Sequence, residues 1–309
     1  MKIRILGSAA GGGLPQWNCH CNNCTGVRAG RPGLKARTQS SITVTADGHH
    51  WVLFNASPDL RSQINAAPAL SGGANGAKRG SPIKAVVMTN GDVDHVSGLL
   101  NLREMQAFNV YGTPRVLGIV AGNSMFNVLN HDLVPRSEIK LDAPIKLEGD
   151  GLDLGLTVEA FAVPGKIALY LENEGAANFG SQPEDTVAVK VTETATGRHF
   201  YYVPGCARVD ANLASRITGA PLVMFDGTLY TDDEMLAQGL MPKTGARMGH
   251  ISISGSDGSI AALAPLGVAR KVYVHINNSN PVLDELSPER RATEAAGWEV
   301  GYDGMEIDL

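Results

Sequence analysis

The stretch TNGDVDHVSGLL (89–100) carries a polar cluster at the junction of two periodic segments. The apolar run IKAVVMT (83–89) predicts a buried β-strand, and a helical pattern follows the cluster. Asp92 and Asp94 are two residues apart, so an extended backbone would point both carboxylates the same way, and His95 comes next. Carboxylates and a neutral imidazole together suit Zn, Fe or Mn. The stretch therefore indicates a metal site, with a solvated turn and an Asp helix cap as the alternative.

Two other predicted strands end in polar residues. RKVYVHI (270–276) contains His275 near its end, and PLVMF (221–225) is followed by Asp226. His250 precedes a predicted helix N-terminus, where it would act as an acid–base group or an outer group of the site. Functional residues collect at strand ends in layered α/β folds, and two strand-end histidines in one chain favour a shared metal. The alternatives are a satisfied core histidine, a turn aspartate and an ordinary surface histidine.

Three of the four cysteines lie in WNCHCNNC (17–24). Cys19, Cys21 and Cys24 have close to the ligand spacing of structural zinc sites, and in a cytosolic chain such a cluster favours a metal over disulfides. A closed tetrahedral site needs a fourth ligand, and a distant His or Asn, for example from the 275–280 loop, is a candidate. Three thiols without a metal are the alternative. Zinc would hold the Gly-rich N-terminal loop in place.

The composition limits the class of protein. Hydrophobic residues make up 43% and charged residues 18% of 309, which predicts a large buried core. Lys and Arg total 26 against 31 Asp and Glu, so no basic excess is present to bind nucleic acid or an acidic membrane. The N-terminal apolar run is shorter than a signal-peptide core, and no window reaches the length of a membrane helix. A cytoplasmic protein is expected.

The order of the predicted elements indicates the architecture. Predicted strands are 2–6, 40–46, 50–54, 83–89, 156–163, 186–192, 199–203, 221–225 and 270–276. Helical patterns cover 96–108, 113–129, 252–267 and 287–297, and the last two begin with Ser252 and Ser287 as expected N-caps. The glycine-rich stretch 71–81 is a predicted surface loop. Strands that lead, with helices interspersed, favour stacked sheets flanked by helices in a single domain over residues 1–309.

Taken together, these motifs resemble the metallo-β-lactamase fold superfamily over essentially the whole chain. TNGDVDHVSGL stands where that superfamily has His-x-His-x-Asp-His before Gly-Leu, and HWVLFNASPDLRSQI (50–64) resembles its strand and acidic turn. Cys206 of VPGC stands where a bridging Asp follows Gly, and His275 stands as the final histidine. The resemblance implies an α/β (α+β) fold, a four-layer αββα sandwich with metals at the strand ends.

A narrower resemblance is to a family of pyrroloquinoline quinone (PQQ) synthesis proteins within that superfamily. The motifs that carry it are GGGLPQWNCHCNNC (11–24), SPDLRSQI (57–64), TNGDVDHVSGLL (89–100), VPGC (203–206) and HINNSNP (275–281). The resemblance implies a role in PQQ biosynthesis, in which the tyrosine ring of a cross-linked Glu–Tyr precursor is oxidised. The implied partner is this small-molecule precursor, with other PQQ-pathway proteins and a homodimer as further candidates.

The chain departs from the dizinc pattern of the superfamily in a way that favours a single metal. Asn90 and Asp92 would both be histidines in a dizinc relative, and FAVPGK (161–166) offers no counterpart of the third-motif histidine. The retained ligands are Asp94, His95 and His275. Two histidines and a carboxylate form the ligand set of non-haem Fe(II) oxygenases. Asp92 would be a second carboxylate ligand or an outer group that orients His95.

The leading hypothesis is an Fe(II)- and O2-dependent hydroxylase of the tyrosine-derived ring. His250 would move a proton to or from a ring hydroxyl, with Asp226 close by. One alternative is a zinc-dependent hydrolase of a phosphodiester or amide, the default chemistry of the fold. The other is a non-catalytic carrier that binds PQQ or its precursor for export.

Overall fold

Two β-sheets packed face to face form the centre of the computed structural model, which describes residues 1–72 and 78–309. The strands are β1 (Lys2–Gly7), β2 (Ser41–Thr45), β3 (Trp51–Phe54), β4 (Ile83–Val87), β5 (Asn109–Gly112), β6 (Arg136–Glu138), β7 (Ile145–Gly149), β8 (Leu152–Ala162), β9 (Val187–Glu193), β10 (His199–Val203), β11 (Val223–Asp226), β12 (Lys271–Val274), β13 (Glu299–Val300) and β14 (Glu306–Asp308). The α-helices are α1 (Asn22–Arg28), α2 (Leu60–Ala66), α3 (Val93–Val96), α4 (Pro114–Gly122), α5 (Ala211–Ile217), α6 (Glu234–Ala237), α7 (Gly245–Met248), α8 (Ser259–Leu263) and α9 (Pro288–Ala295).

Each sheet has one face turned towards the other sheet. The strand order is β14-β1-β2-β3-β4-β5-β6 in the first sheet and β13-β12-β11-β10-β9-β8-β7 in the second. Alternate residues of β8 bury their side chains between the sheets, as the two-residue period of a strand requires: Leu154, Leu156, Val158 and Ala160. Ile3, Ile42, Val52 and Val87 meet them from the first sheet. This shared interior is the central core.

Helices cover both outer faces, which completes four layers. On the first sheet, residues of α2 and α4 pack on Leu53 and Val86: Leu60, Val116 and Val120. On the second sheet, residues of α5 and α8 pack on Val223 and Phe225: Leu213, Ile217 and Leu263. The predicted αββα sandwich is confirmed. None of the helices in the described ranges combines the length and the apolarity needed to cross a membrane.

Parallel pairing in both sheets brings the polar clusters to one edge. Strands β3 to β6 are mutually parallel, and so are β10 to β13. Asp226, the last residue of β11, pairs with Val274, which directly precedes His275. The 89–100 stretch begins just after β4 ends in the facing sheet. The carboxyl ends of the central strands therefore supply the polar residues from both sheets.

The predicted strands are all present, but three helix predictions are wrong in extent. In the pattern 113–129, α4 ends at Gly122 and a 3-10 segment, Ser124–Val128, follows. The helical pattern 96–108 contains only the end of α3 and a 3-10 segment, Ser97–Leu102. A Cβ on Gly98 would collide with the backbone oxygen of Ser57, so this turn is shaped by a close approach of two loops. Ser252 is not an N-cap, because α8 begins at Ser259, whereas Ser287 caps α9 by accepting from the Arg290 N–H. In the predicted loop 71–81, residues 73–77 lie outside the described residues.

Candidate metal centre

Asp94, His95 and His275 converge at the strand ends with their ligand atoms within 4.8 Å of one another. Asp94 Oδ2 lies 3.2 Å from His275 Nε2, and the His95 and His275 ring centres are 5.2 Å apart. Two ligand atoms bound at about 2.1 Å from one ion, at a right angle, would be about 3 Å apart. The Asp94–His275 spacing therefore fits two neighbouring ligands of one metal.

Asn90 decides which ring nitrogen of His95 faces this centre. Its Oδ1 accepts the backbone N–H of Asp92 at 3.0 Å, so this end of the amide is the oxygen. The same oxygen lies 2.6 Å from His95 Nδ1, which must then carry the proton and donate it. Nε2 of His95 is left with a buried lone pair that has no hydrogen-bond partner in residues 1–72 and 78–309. Such an orphaned acceptor fits a metal ligand.

Thr228 plays the corresponding part for His275. The Thr228 hydroxyl donates to Asp226 Oδ1 at 2.6 Å and can then accept from His275 Nδ1 at 2.9 Å. Nε2 of His275 is thus directed to the centre, like Nε2 of His95. His275 itself has a left-handed backbone at φ +55°, uncommon for a residue with a side chain, so its placement depends on the surrounding contacts.

The centre favours a deprotonated carboxylate and a neutral His95. Burial opposes ionisation of Asp94, but the neighbouring His95 and His275 lower its pKa below the ordinary value. Burial lowers the pKa of His95 to about 4, although Asp94 acts in the opposite direction. A neutral imidazole and an ionised carboxylate are the forms that bind metals.

Asp92 is not brought into the same group of ligand atoms. Its Oδ1 accepts the backbone N–H of Leu169 at 3.3 Å, and Tyr170 donates its hydroxyl to the Gly91 oxygen at 2.7 Å. Burial and the charge of Asp94 raise the pKa of Asp92. Asp92 thus fastens the 169–170 segment over the edge of the site.

Asp226 and His250 form a hydrogen-bonded pair beside the centre. His250 Nδ1 is 2.7 Å from Asp226 Oδ2, and the His250 ring stacks on that of His275 at 5.2 Å. Asp226, His250 and His275 also have ligand atoms within 4.8 Å of one another. Both Asp226 oxygens are occupied, since Oδ1 accepts from Thr228 and Oδ2 also accepts the Cys206 N–H. The Asp226 carboxylate therefore orients Thr228 and His250, and its hydrogen bonds leave it less available as a metal ligand.

Cys19, Cys21 and Cys24 gather their thiols around the carboxamide of Asn278. The Asn278 amide nitrogen lies 3.1, 3.5 and 3.3 Å from the three sulfur atoms in that order. Backbone N–H groups of Gln16, Cys21 and Cys24 point at the sulfurs, which suits thiolates. A half-turn of the carboxamide would place its oxygen where the nitrogen lies. The cluster therefore fits a zinc ion held by three thiolates and an amide oxygen.

A cavity of about 550 Å³ lies over the metal centre. Asp94, His95, His250 and His275 line it, and the loop that carries the cysteines forms part of its wall through Cys19 and His20. A Cβ on Gly11 would lie 3.4 Å from Asp94 Oδ2, so the glycine-rich N-terminal loop passes directly beside the ligand. The thiol cluster thus supports one wall of the cavity.

Known proteins match this chain over its full length. A model of the beta-lactamase superfamily domain matches residues 50–276. Coenzyme PQQ synthesis protein B of Methylorubrum populi is 49% identical over 309 residues, with complete coverage of both chains. The chain belongs to the coenzyme PQQ synthesis protein B family. The homologue from Rhodopseudomonas palustris is 50% identical over 310 residues, again with complete coverage.

A solved structure of the PQQ synthesis protein B family has the same fold. The crystal structure of Zn(2+)-bound PqqB from Methylobacterium extorquens is 48% identical, covers both chains completely and superimposes with a TM-score of 0.93. A diphosphatase of the PhnP family is 17% identical with a TM-score of 0.68, which shows a shared fold only. The fold and the family agree with the resemblance seen in the motifs.

Several contacts of this family member were not visible in the sequence. In the sequence, Asn90 is visible only as a lost ligand and Thr228 carries no signal, because the role of each depends on a contact with an imidazole that forms only in the folded chain. Lys166 and Lys243, which also line the cavity, were not singled out either. The signal for both lysines is weak, since surface lysines are common and neither lies in a motif.

Proposed function

We propose that this chain acts in PQQ biosynthesis as an Fe(II)- and O2-dependent hydroxylase of the tyrosine-derived ring of a cross-linked Glu–Tyr precursor. The observation that carries the proposal is the convergent set of Asp94, His95 and His275, in which Nε2 of His95 is buried and has no hydrogen-bond partner among the described residues. The names of the full-length relatives support the pathway. Fe(II) at two histidines and a carboxylate supplies the O2-activating chemistry that ring hydroxylation needs.

Residues of the chain provide orientation and proton transfer. Asn90 and Thr228 hold the two imidazoles with Nε2 towards the centre. The Asp226–His250 pair leaves an imidazole nitrogen of His250 in the cavity, where it can take a proton from a hydroxyl of the substrate ring. The carboxylate of Asp226 would stabilise the imidazolium that forms. The 169–170 segment is fastened to Asp92 and Gly91 at one edge of the site.

The ligand set also separates this proposal from zinc-dependent hydrolysis. In a dinuclear hydrolase of this superfamily, a histidine ligand stands at the position of Asn90. The neighbouring group of Asp226, His250 and His275 shares His275 with the first group and so does not supply an independent second ligand set. The Asn90 oxygen already accepts two hydrogen bonds and serves His95. This arrangement favours one metal with an orienting amide over two metals with a bridging hydroxide.

Oxygen consumption by iron-reconstituted protein with a cross-linked Glu–Tyr peptide tests the proposal. Hydroxylation inserts one oxygen atom into a ring C–H bond and reduces the other to water, so the assay includes ascorbate as the two-electron reductant. We expect uptake of O2 and a product heavier by one oxygen atom, loss of both in His275→Ala, and no change in His131→Ala, an exposed histidine outside the cavity. Turnover without O2 on zinc would indicate a hydrolase, and tight binding without turnover on any metal would indicate a carrier.

A further inference from the structure

The cavity over the metal centre has an apolar wall and two lysines. Leu240, Met241 and Met248 contribute apolar side chains, and Lys166 and Lys243 contribute the ammonium groups. A volume of about 550 Å³ accommodates a ligand of a few fused or linked rings. The wall offers flexible, polarizable contacts to an aromatic ring, since thioethers adapt their shape to the ligand.

Lys166 belongs to a cluster of charged and aromatic side chains. Its ammonium group is paired with Glu172, and Arg247 donates two hydrogen bonds to the same carboxylate. The Glu172 side chain is 7% exposed, and the two cations lower its pKa to about 2, so it stays ionised. The Arg247 guanidinium also lies 3.8 Å over the ring of Phe179. The Lys166 ammonium group is thus held by a carboxylate that it shares with Arg247.

Backbone conformation places the Lys166 side chain close to His250. Gly249, which directly precedes His250, has a left-handed backbone at φ +88°, and a Cβ there would lie 3.1 Å from Lys166 Cγ. The glycine leaves room for the lysine stem to pass over this turn. The Lys166 stem therefore passes beside the residue that precedes the proposed proton-transfer residue.

Lys243 is the second cation of the cavity, and unlike Lys166 it has no ion-pair partner among the described residues. It lies between α6 and α7, is partly buried at the cavity wall, and makes no ion pair or side-chain hydrogen bond to any residue of the described ranges. Removing an ammonium group from water without a partner is unfavourable, so a ligand anion at this position would recover part of the cost. Asp92 and Asp94 also line the cavity, and a metal ion bound at Asp94 would offset its negative charge.

We infer that Lys243 and Lys166 form a carboxylate-binding subsite, and that the ligand of this cavity is an aromatic compound with two or more carboxylates. In this arrangement the lysines bind the carboxylates, the methionine side chains contact the ring, and the ring hydroxyl is left for His250. The inference rests on the proposed function and names the substrate class of the same site. Lys243 and Lys166 are then specificity-determining residues.

Binding of PQQ, which carries three carboxylates, tests the subsite independently of turnover. Equilibrium dialysis compares PQQ with its trimethyl ester on metal-loaded protein, in wild type, Lys243→Met and Lys166→Met. We expect each variant to bind PQQ about tenfold or more weakly, Lys243→Arg to recover most of the affinity, and the ester to bind weakly to all forms. Lys140→Met, which changes an exposed lysine outside the cavity, should bind like wild type.

The outcomes distinguish this inference from the proposed function. PQQ affinity within twofold of wild type in both Lys243→Met and Lys166→Met, or equal affinity for PQQ and its ester, would overturn the subsite. Lysine-dependent binding without oxygen uptake would support the subsite and contradict the hydroxylase. In turnover with the cross-linked peptide, Lys243→Met should raise KM with little change in kcat, and an unchanged KM would contradict the subsite while leaving the hydroxylase intact. Lys243→Met changes a loop residue and should keep the wild-type Tm, which serves as the folding control.

Discussion

Replacing Asn90 by Ala should weaken metal binding at the active site while leaving the thiol cluster loaded. The Asn90 oxygen is the acceptor that keeps the proton on His95 Nδ1, at 2.6 Å, and so leaves Nε2 free. Without it, a buried N–H loses its partner at a cost of about 1–3 kcal/mol. The ring can then turn or adopt the other tautomer, in which Nε2 carries the proton and cannot bind a metal.

The expected loss of metal affinity in Asn90→Ala follows from the hydrogen bond by which Asn90 orients His95. Loss of a group that orients a histidine ligand typically lowers metal affinity 10–100-fold. Asn90→Asp keeps an oxygen acceptor at the same position, so we expect it to hold the metal about as well as wild type. Comparing Asn90→Ala with Asn90→Asp thus shows whether metal affinity depends on the oxygen acceptor at position 90.

Co(II) titration of protein whose cysteines already hold zinc measures this affinity. Absorption from cobalt at nitrogen and oxygen ligands reports the active site, and metal analysis after dialysis reports the thiol cluster. We expect Asn90→Ala to require 10–100-fold more Co(II) for half-saturation. If Asn90→Ala needed no more than twice the wild-type Co(II) concentration for half-saturation, Asn90 would not orient His95, and the support it gives to a single-metal site would be lost.

Three further perturbations test other parts of the molecule. Asp92→Asn keeps an acceptor for the Leu169 N–H, so Co(II) affinity should change less than threefold if Asp92 is not a ligand, and a loss above tenfold would make it one. Asn278→Ala should release zinc from the cysteines at chelator concentrations that wild type withstands, measured with a colorimetric zinc indicator. Burial raises the pKa of Glu234 from 4.5 to about 7, so its stabilising contribution is present below about pH 4.5 and is lost as the pH rises to about 7. Urea unfolding of Glu234→Gln should lack this fall of about 3 kcal/mol, and a curve parallel to wild type from pH 5 to 8 would contradict it.

The strands and the ligand histidines could be predicted because their signals are local. Runs of Val and Ile such as 83–87 report a buried strand whatever surrounds them, and His275 follows such a run directly. The helix over 96–108 failed because Gly98 serves a close contact with the Ser57 loop, which periodicity does not reveal. The local sequence pattern therefore predicted the strands more accurately than the short helices.

The chemistry of the site depends on contacts that the sequence does not display. Asn90 and His95 are five residues apart, yet the hydrogen bond between their side chains needs the turn between them to fold back. Thr228 and His275 are 47 residues apart, and the pair comes together only because β11 and β12 are parallel neighbours. In the sequence alone, Asn90 is a lost histidine ligand. In the folded chain it orients the ligand His95.

The contact between the cysteines and Asn278 has a consequence for the choice of metal during synthesis. The amide and the three thiols are separated by 254 to 259 residues along the chain. While the ribosome is still adding the intervening residues, the thiols of the nascent chain lack their fourth partner and remain open to exchange. Soft ions such as Cu(I) compete for thiolates at that stage. Cellular copper and zinc levels would then influence how much newly made protein matures with a properly built cavity wall.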